Sequence, residues 1–296
     1  MTRVLTAVVV LLGWSAVVAQ SSLQGDLRGQ FSRRIDEIVR SLDGVIGYAV
    51  VDLTSGEQIA ARLGREPFPT ASAVKVAILY ELLKRADEGN LALDAAKPLE
   101  PSQKVGGSGV LQHLTTPSLS LRDHAALMMI VSDNTATNVV IDAVGMANVT
   151  ARMKTLKLGD ILLRRKMMDD AAVRRGDENV ASPVSLLKAT ELLWKGEGLT
   201  PARRDVGREI MRLVPGAIRG AVPNRVVVFS KTGSLAGVRA ETAIVDVPAA
   251  PFGLAVMTTY LKDDAAGSRA IGDIAAAAFS YFERIAASGK YGRRVP

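Results

Sequence analysis

The sequence predicts an α/β fold: an antiparallel sheet flanked by N- and C-terminal helices, with an all-helical domain inserted in its middle. Three observations predict it. β-Branched runs separated by turn residues occur only toward the two ends of the chain, the periodicity from residue 72 to about 214 is helical almost throughout, and the chain closes on an amphipathic helical pattern.

At the start, Arg3 precedes an apolar run from Val4 to Leu12, and Val17-Val18-Ala19 offers small residues where a signal peptidase cuts. Residues 1–19 are therefore expected to be a cleaved export signal, making the protein periplasmic or secreted. Gly13 and Ser15 interrupt the run, which is short for a membrane span. Residues 20–29 read as an irregular lead-in. Phe31, Ile35, Ile38, Val39 and Leu42 then recur at helical spacing, and Asp43-Gly44 ends that helix. Strands over 45–53 and 57–61 form a hairpin about Thr54-Ser55-Gly56.

Helices are expected over 73–85, 121–131, 135–144, 185–194 and 201–213. The stretch 156–183, rich in arginine and aspartate, has little periodicity, and a loop that long in a compact domain is more often functional than idle. Strands resume over 225–231, 238–245 and 252–260, and Ile271, Ile274, Ala278 and Phe282 mark a last helix over 268–286. The expected organisation is a signal at 1–19, an α/β domain from 20–64 and 216–296, and a helical domain over 65–215.

Composition narrows the function. The 296 residues are 48% hydrophobic and 23% charged, which suits a globular chain with a sizeable core. Removing residues 1–19 takes Arg3 from the 37 Lys+Arg, so 36 basic residues face 30 acidic ones, a net +6. That excess is spread along the chain, which argues for a solubilising surface and against nucleic-acid binding. There is no cysteine, hence no disulfide and no lipid-bearing thiol. His113 and His124 lack metal-ligand spacing, so neither a metal nor another cofactor is expected.

Three short motifs carry the chemistry. In Ser72-Ala73-Val74-Lys75 a serine precedes a helical pattern, and the lysine lies one turn on, on the same face. Such an amine can accept the serine proton if burial and the helix dipole lower its pKa. Ser132-Asp133-Asn134 lies at the joint of two helices, where these residue types also make good N-caps. Lys231-Thr232-Gly233, followed by Ser234, comes near the end of a β-branched run, and Gly233 permits close approach of another backbone.

Taken in this order, the motifs resemble those of the class A serine β-lactamases and their relatives the penicillin-binding proteins, which share an SxxK, SDN and KTG signature. The resemblance covers most of the chain, including Gly107-Ser108-Gly109-Val110-Leu111 ahead of the SDN joint. It implies a β-lactamase/transpeptidase-like fold and a monomeric serine hydrolase that opens a β-lactam amide through an acyl-enzyme on Ser72. Lys75 would accept the Ser72 proton, and Ser132 with Lys231 would deliver one to the leaving nitrogen. The N–H groups of Ser72 and Ser234 would form the oxyanion hole. Asn134 would bind the acyl side chain, and Thr232, Gly233 and Ser234, with Arg239, the rest of the substrate and its carboxylate.

One element of the pattern is missing. Class A enzymes carry Glu-x-x-Leu-Asn in the long loop, and its glutamate activates the water that releases the acyl group. A gapless count back from Pro183 puts Lys166 in the glutamate's place and Asp170 in the asparagine's. Asp169 and Asp170 are the candidate replacement bases, and Asp177 and Glu178 are expected to pair with Arg164, Arg165 or Arg174. Two alternatives share the motifs: a penicillin-binding or D-alanyl peptidase-like protein with poor deacylation, and a non-catalytic binder of cell-wall fragments.

Overall fold

The computed structural model describes residues 5–115, 117–289 and 291–294, with side chains described from Leu23 onward. The first four residues of the expected signal lie outside the described residues. A single helix, α1, runs Leu5–Ser41 and includes the expected lead-in. The lead-in is helical because it has partners: Leu27 packs on the core, and Arg28 donates to the carbonyls of Ile59 (2.8 Å) and Gln58 (2.9 Å) and to Glu57 (2.5 Å).

The chain then forms β1 (Val45–Asp52), β2 (Gln58–Arg62), the two-residue β3 (Phe68–Pro69), a 3-10 turn over Ala71–Val74 and α2 (Lys75–Asp87). Short strands β4 (Ala96–Pro98) and β5 (Ser118–Ser120) pair before α3 (Leu121–Ile130), α4 (Asn134–Val144) and α5 (Met146–Thr155). The long loop contains α6 (Asp170–Arg174) and β6 (Val180–Ala181), the latter paired with β3. Then come α7 (Pro183–Lys195), α8 (Pro201–Met211), α9 (Ala217–Gly220), β7 (Val227–Leu235), β8 (Val238–Asp246), β9 (Phe252–Thr259) and α10 (Asp264–Ala286).

The five-stranded sheet has the order β2-β1-β9-β8-β7, with every neighbouring pair antiparallel. The first and last parts of the sequence meet at its centre, where β1 pairs with β9 from Val45↔Thr259 to Asp52↔Phe252. Strand β7 is left as an edge. Alternation divides the sheet between two cores. Ala49, Phe229, Ala240, Ile244 and Met257 face the helices α2 to α8, while Val50, Val228, Ala243, Val245 and Leu254 face α1 and α10. On the latter side Phe252 stacks on Phe282 at 4.5 Å.

Three helices escaped the periodicity reading. α5 offers only Val149 and Met153 as buried anchors, and α6 and α9 are five and four residues long, too short for a period to show. Strand β7 also extends past its expected end at 231, because Thr232 to Leu235 continue to pair with β8 as far as Leu235↔Val238. The KTG residues thus lie inside the strand.

The helical layer is tied by Arg152 of α5. Its guanidinium meets Glu81 of α2 at 2.8 Å and Glu88 at 3.0 Å, and Glu81 is only 2% exposed. Removing one partner of a buried pair leaves an uncompensated charge. Arg152→Met is expected to cost about 3 kcal/mol in a urea-unfolding experiment, whereas an exposed pair such as Arg225 with Glu283 should cost under about 1 kcal/mol when cut.

Candidate active site

The three motifs, far apart in sequence, converge on one cleft between the helical layer and the edge strand β7. Ser72 lies in the 3-10 turn and Lys75 is the first residue of α2. The residue before the serine, Ala71, has φ +47, a left-handed conformation that costs energy for a residue with a Cβ and that often marks functional turns. Strand β7 fixes this turn from the other side. A Cβ added to Gly233 would lie 2.4 Å from the Thr70 carbonyl oxygen and 3.0 Å from Ser72 N, so the two backbones touch and only glycine fits.

At the joint between α3 and α4 the three SDN residues divide the work. Asp133 is the N-cap of α4, accepting from Ala136 N at 2.8 Å, and its other oxygen accepts from Val110 N (2.6 Å) and Leu111 N (2.8 Å). Asn134 N donates to Ser108 O at 3.0 Å, so the Gly107-to-Leu111 segment is held against the joint. Ser132, with φ +56, is turned toward the lysines.

The central contact is between two amines and one hydroxyl. Lys75 Nζ lies 3.1 Å from Ser132 Oγ and donates to Ser132 O (2.8 Å) and Asn134 Oδ1 (3.3 Å); Lys231 Nζ lies 3.3 Å from the same Ser132 Oγ. Both lysines have zero exposure. Burial pushes the Lys75 amine well below the ordinary lysine range, the charge of Lys231 pushes it the same way, and Asp133 opposes both. Burial also lowers Lys231 to about 7, against the pull of Glu241. The arrangement can supply a neutral amine beside a serine and a hydroxyl proton relay.

Ser72, Asn134 and Ser234 line the cleft together with Gly107 and Ser108. Thr232, on the same strand, is half-buried but does not line the cleft: it lies opposite Glu241, against Gly216. Arg239 is not in the cleft: its guanidinium donates to the carbonyls of Leu235 (2.8 Å) and Val238 (2.7 Å) and pairs with Asp264 at 3.1 Å. The turn and α10 therefore hold it. A larger concavity of about 370 Å³ lies between α1 and α10, around Phe31 and Tyr281, but it holds none of the motif residues.

The long loop differs from its expectation. Asp169 accepts from Ala172 N at 2.9 Å as the cap of α6, Asp170 is exposed in the first turn, and neither lines the cleft. Lys166 turns away to Asp142 at 2.5 Å. The cleft wall is instead Arg165, Met167, Met168 and Asn179. Asn138 clamps Met167 at both its N–H (2.9 Å) and carbonyl (3.1 Å), and Asn179 accepts from Arg164 N (2.8 Å) and Arg165 N (3.1 Å). Glu178 does pair with Arg165, at 2.7 Å, but Asp177 pairs with its close neighbour Arg175.

Sequence reasoning also missed Glu241. It is 1% exposed on β8, opposite Thr232, and accepts from Ala217 N (2.8 Å) and Ile218 N (3.2 Å) at the head of α9. Burial raises its carboxyl to about 7, opposed by those N–H groups, Lys231 and Arg219. An acid next to Thr242 inside the strand run Val238 to Val245 was the available signal.

Because Gly233 touches the serine turn, Gly233→Ala is expected to force β7 away from Ser72. Thermal unfolding should show a loss of about 1–3 kcal/mol, and labelling of Ser72 by an acylating probe should fall far more than that loss explains.

Comparison with known proteins agrees with this geometry. A model of the β-lactamase enzyme family matches residues 30–282. The chain is 28% identical over 212 residues to an imipenem-hydrolyzing β-lactamase of Enterobacter cloacae, covering 69% of this chain and 72% of that one. Among solved structures it is similar to a β-lactamase from Sphaerobacter thermophilus, with 31% identity, a TM-score of 0.79 and coverage of 86% of this chain and 97% of that one. It is also similar to PBP-A, with 26% identity, a TM-score of 0.78 and coverage of 87% and 96%; a variant of PBP-A has been solved as its acyl-enzyme with penicillin G. Fold, motif geometry and family match together make this chain a member of the β-lactamase enzyme family.

Proposed function

We propose that the protein is an exported serine enzyme that is acylated on Ser72 by β-lactams and related D-alanyl peptides, and that releases the acyl group slowly. The observation that carries the reading is the make-up of the cleft: a full set of groups for acylation, and no carboxylate among the described residues that line the wall around Ser72.

In acylation, Lys75 as a neutral amine takes the Ser72 hydroxyl proton while Oγ bonds to the carbonyl carbon. The developing oxyanion lies between the N–H groups of Ser72 and Ser234. As the amide C–N bond breaks, Ser132 gives its proton to the nitrogen and is reprotonated by Lys231 through the 3.3 Å contact. Asn134 and the unpaired edge of β7 would hold the acyl donor, and an extended peptide can add to such an edge. Release needs a base to deprotonate water, and the thioether of Met167 cannot serve. A penicillin-binding-like outcome follows, in line with the acyl-enzyme solved for the PBP-A variant. Export is supported by the leader pattern from Arg3 to Ala19.

The test is stopped-flow absorbance with a chromogenic cephalosporin, coupled to intact-mass analysis. A burst near one equivalent with a lasting adduct on Ser72 is expected; fast turnover would overturn slow release, and absence of an adduct would overturn acylation. Met167→Glu, which puts a carboxylate into the cleft wall, should raise the release rate by about tenfold or more, since a placed general base contributes roughly 10²–10⁴-fold.

A further inference from the structure

The sheet has two ends, and the cleft belongs to one of them. It lies on the helical side, where β7 reaches Leu235; at that same end the Leu261 N–H meets the Gly237 carbonyl at 3.1 Å and β1 starts opposite Thr259. On the other face of the sheet, α1 stops at this end and α10 sets out from it. The start of α1 and the end of α10 therefore lie on the face away from the cleft, about 30 Å of helix further on.

At that far corner the two ends of the folded chain meet. Leu23 and Leu27 of α1 border one concavity with Arg284 and Ile285 of α10 and Gly292 of the tail. The tail folds back on itself: the Gly289 N–H donates to the Arg293 carbonyl at 2.9 Å, and Ser288 bridges to Arg294. Two large hydrophobic side chains stand out from the corner, Leu23 at 58% and Tyr291 at 68% exposure. Around them the charge has one sign. After Glu283 the sequence carries Arg284, Lys290, Arg293 and Arg294 and no acid. Glu283 itself pairs with Arg225 at 2.8 Å and Glu57 pairs with Arg28, which leaves Asp26 of α1, an acceptor for Gln30, against four basic residues.

We propose that this corner docks on the anionic surface of a lipid bilayer, with Leu23 and Tyr291 entering the headgroup layer and the arginines meeting lipid phosphates, so that the cleft faces away from the membrane. A bilayer is the occupant that matches both features, because reversible anchoring takes a modest apolar insertion and a basic cluster together. Each basic residue held at an anionic surface strengthens binding about fivefold. The path of the chain points the same way: α1 runs as one helix from Leu5 to Ser41, so this corner adjoins the apolar leader that must meet a membrane during export. Ser72 chemistry plays no part in the docking.

Sedimentation of the full chain with phosphatidylcholine vesicles, with and without phosphatidylglycerol, is the test. The apolar leader can enter either kind of vesicle, so the gain on adding the anionic lipid reads the charge-driven docking. That gain should be at least about tenfold at low salt and should vanish at high salt. Arg293→Glu combined with Arg294→Glu should cut it by about tenfold or more. The rate of Ser72 adduct formation should be the same on vesicles as in solution. Equal binding with and without phosphatidylglycerol, or a double variant that binds like the wild type, overturns the docking. A dimer in solution that the double variant abolishes would assign the corner to a second copy of the chain and overturn it too, and slower acylation on vesicles would overturn the orientation. A chain that forms no Ser72 adduct at all overturns the acylation reading, while the sedimentation result still decides the docking.

Discussion

Two lysine amines within hydrogen-bond distance of one serine hydroxyl, both wholly buried, form the constraint on which the rest of this molecule depends. Burying an ammonium is unfavourable, and burying two side by side more so, so the fold must hold at least one amine neutral. Loss of a proton at ordinary pH is the cheapest relief, and it is also what the proposed acylation requires of Lys75. The surrounding structure keeps the amines from separating. Asp133 locks the α3–α4 joint to the Gly107-to-Leu111 segment, Gly233 sets β7 against the serine turn, and α2 carries Lys75 from that same turn.

Much of this was legible in the sequence, and for physical reasons. SxxK spacing sets Ser72 and Lys75 one turn apart, and they lie in the 3-10 turn and at the first residue of α2 that follows it. The sheet was legible where strands alternate or run apolar, and α1 through Phe31, Ile35 and Ile38 where one face is buried. What could not be read depended on tertiary partners. The lead-in became helical because Arg28 meets β2, Arg239 left the cleft because Asp264 of α10 holds it, and Asp169 was absorbed as a cap five residues from a short helix's end. A gapless count put Lys166 in the cleft, yet Asn138 grips Met167 and leaves Lys166 to Asp142. Position on a loop is set by such grips more than by counting.

The same loop supports the proposal that this cleft favours acylation over release. Its backbone is well fastened, with Asn179 bridging to Thr70 beside the nucleophile through a 2.9 Å N–H···O bond and Glu178 holding Arg165. The frame is therefore intact, and the departure is chemical: thioethers and a paired guanidinium occupy the wall near Ser72. A cleft can retain its acyl-transfer groups while losing hydrolysis, because the two half-reactions draw on different side chains.

The most direct measurement is the pH dependence of wild-type Ser72 adduct formation with a β-lactam, read by acid quenching and intact mass. If two buried amines govern the step, the rate rises with pH well below the ordinary lysine range as Lys75 loses its proton, and falls again as Lys231, lowered to about 7, loses the proton that it must give. A rate still climbing toward pH 10 would show that Lys75 keeps an ordinary proton affinity, and would contradict the account at its centre.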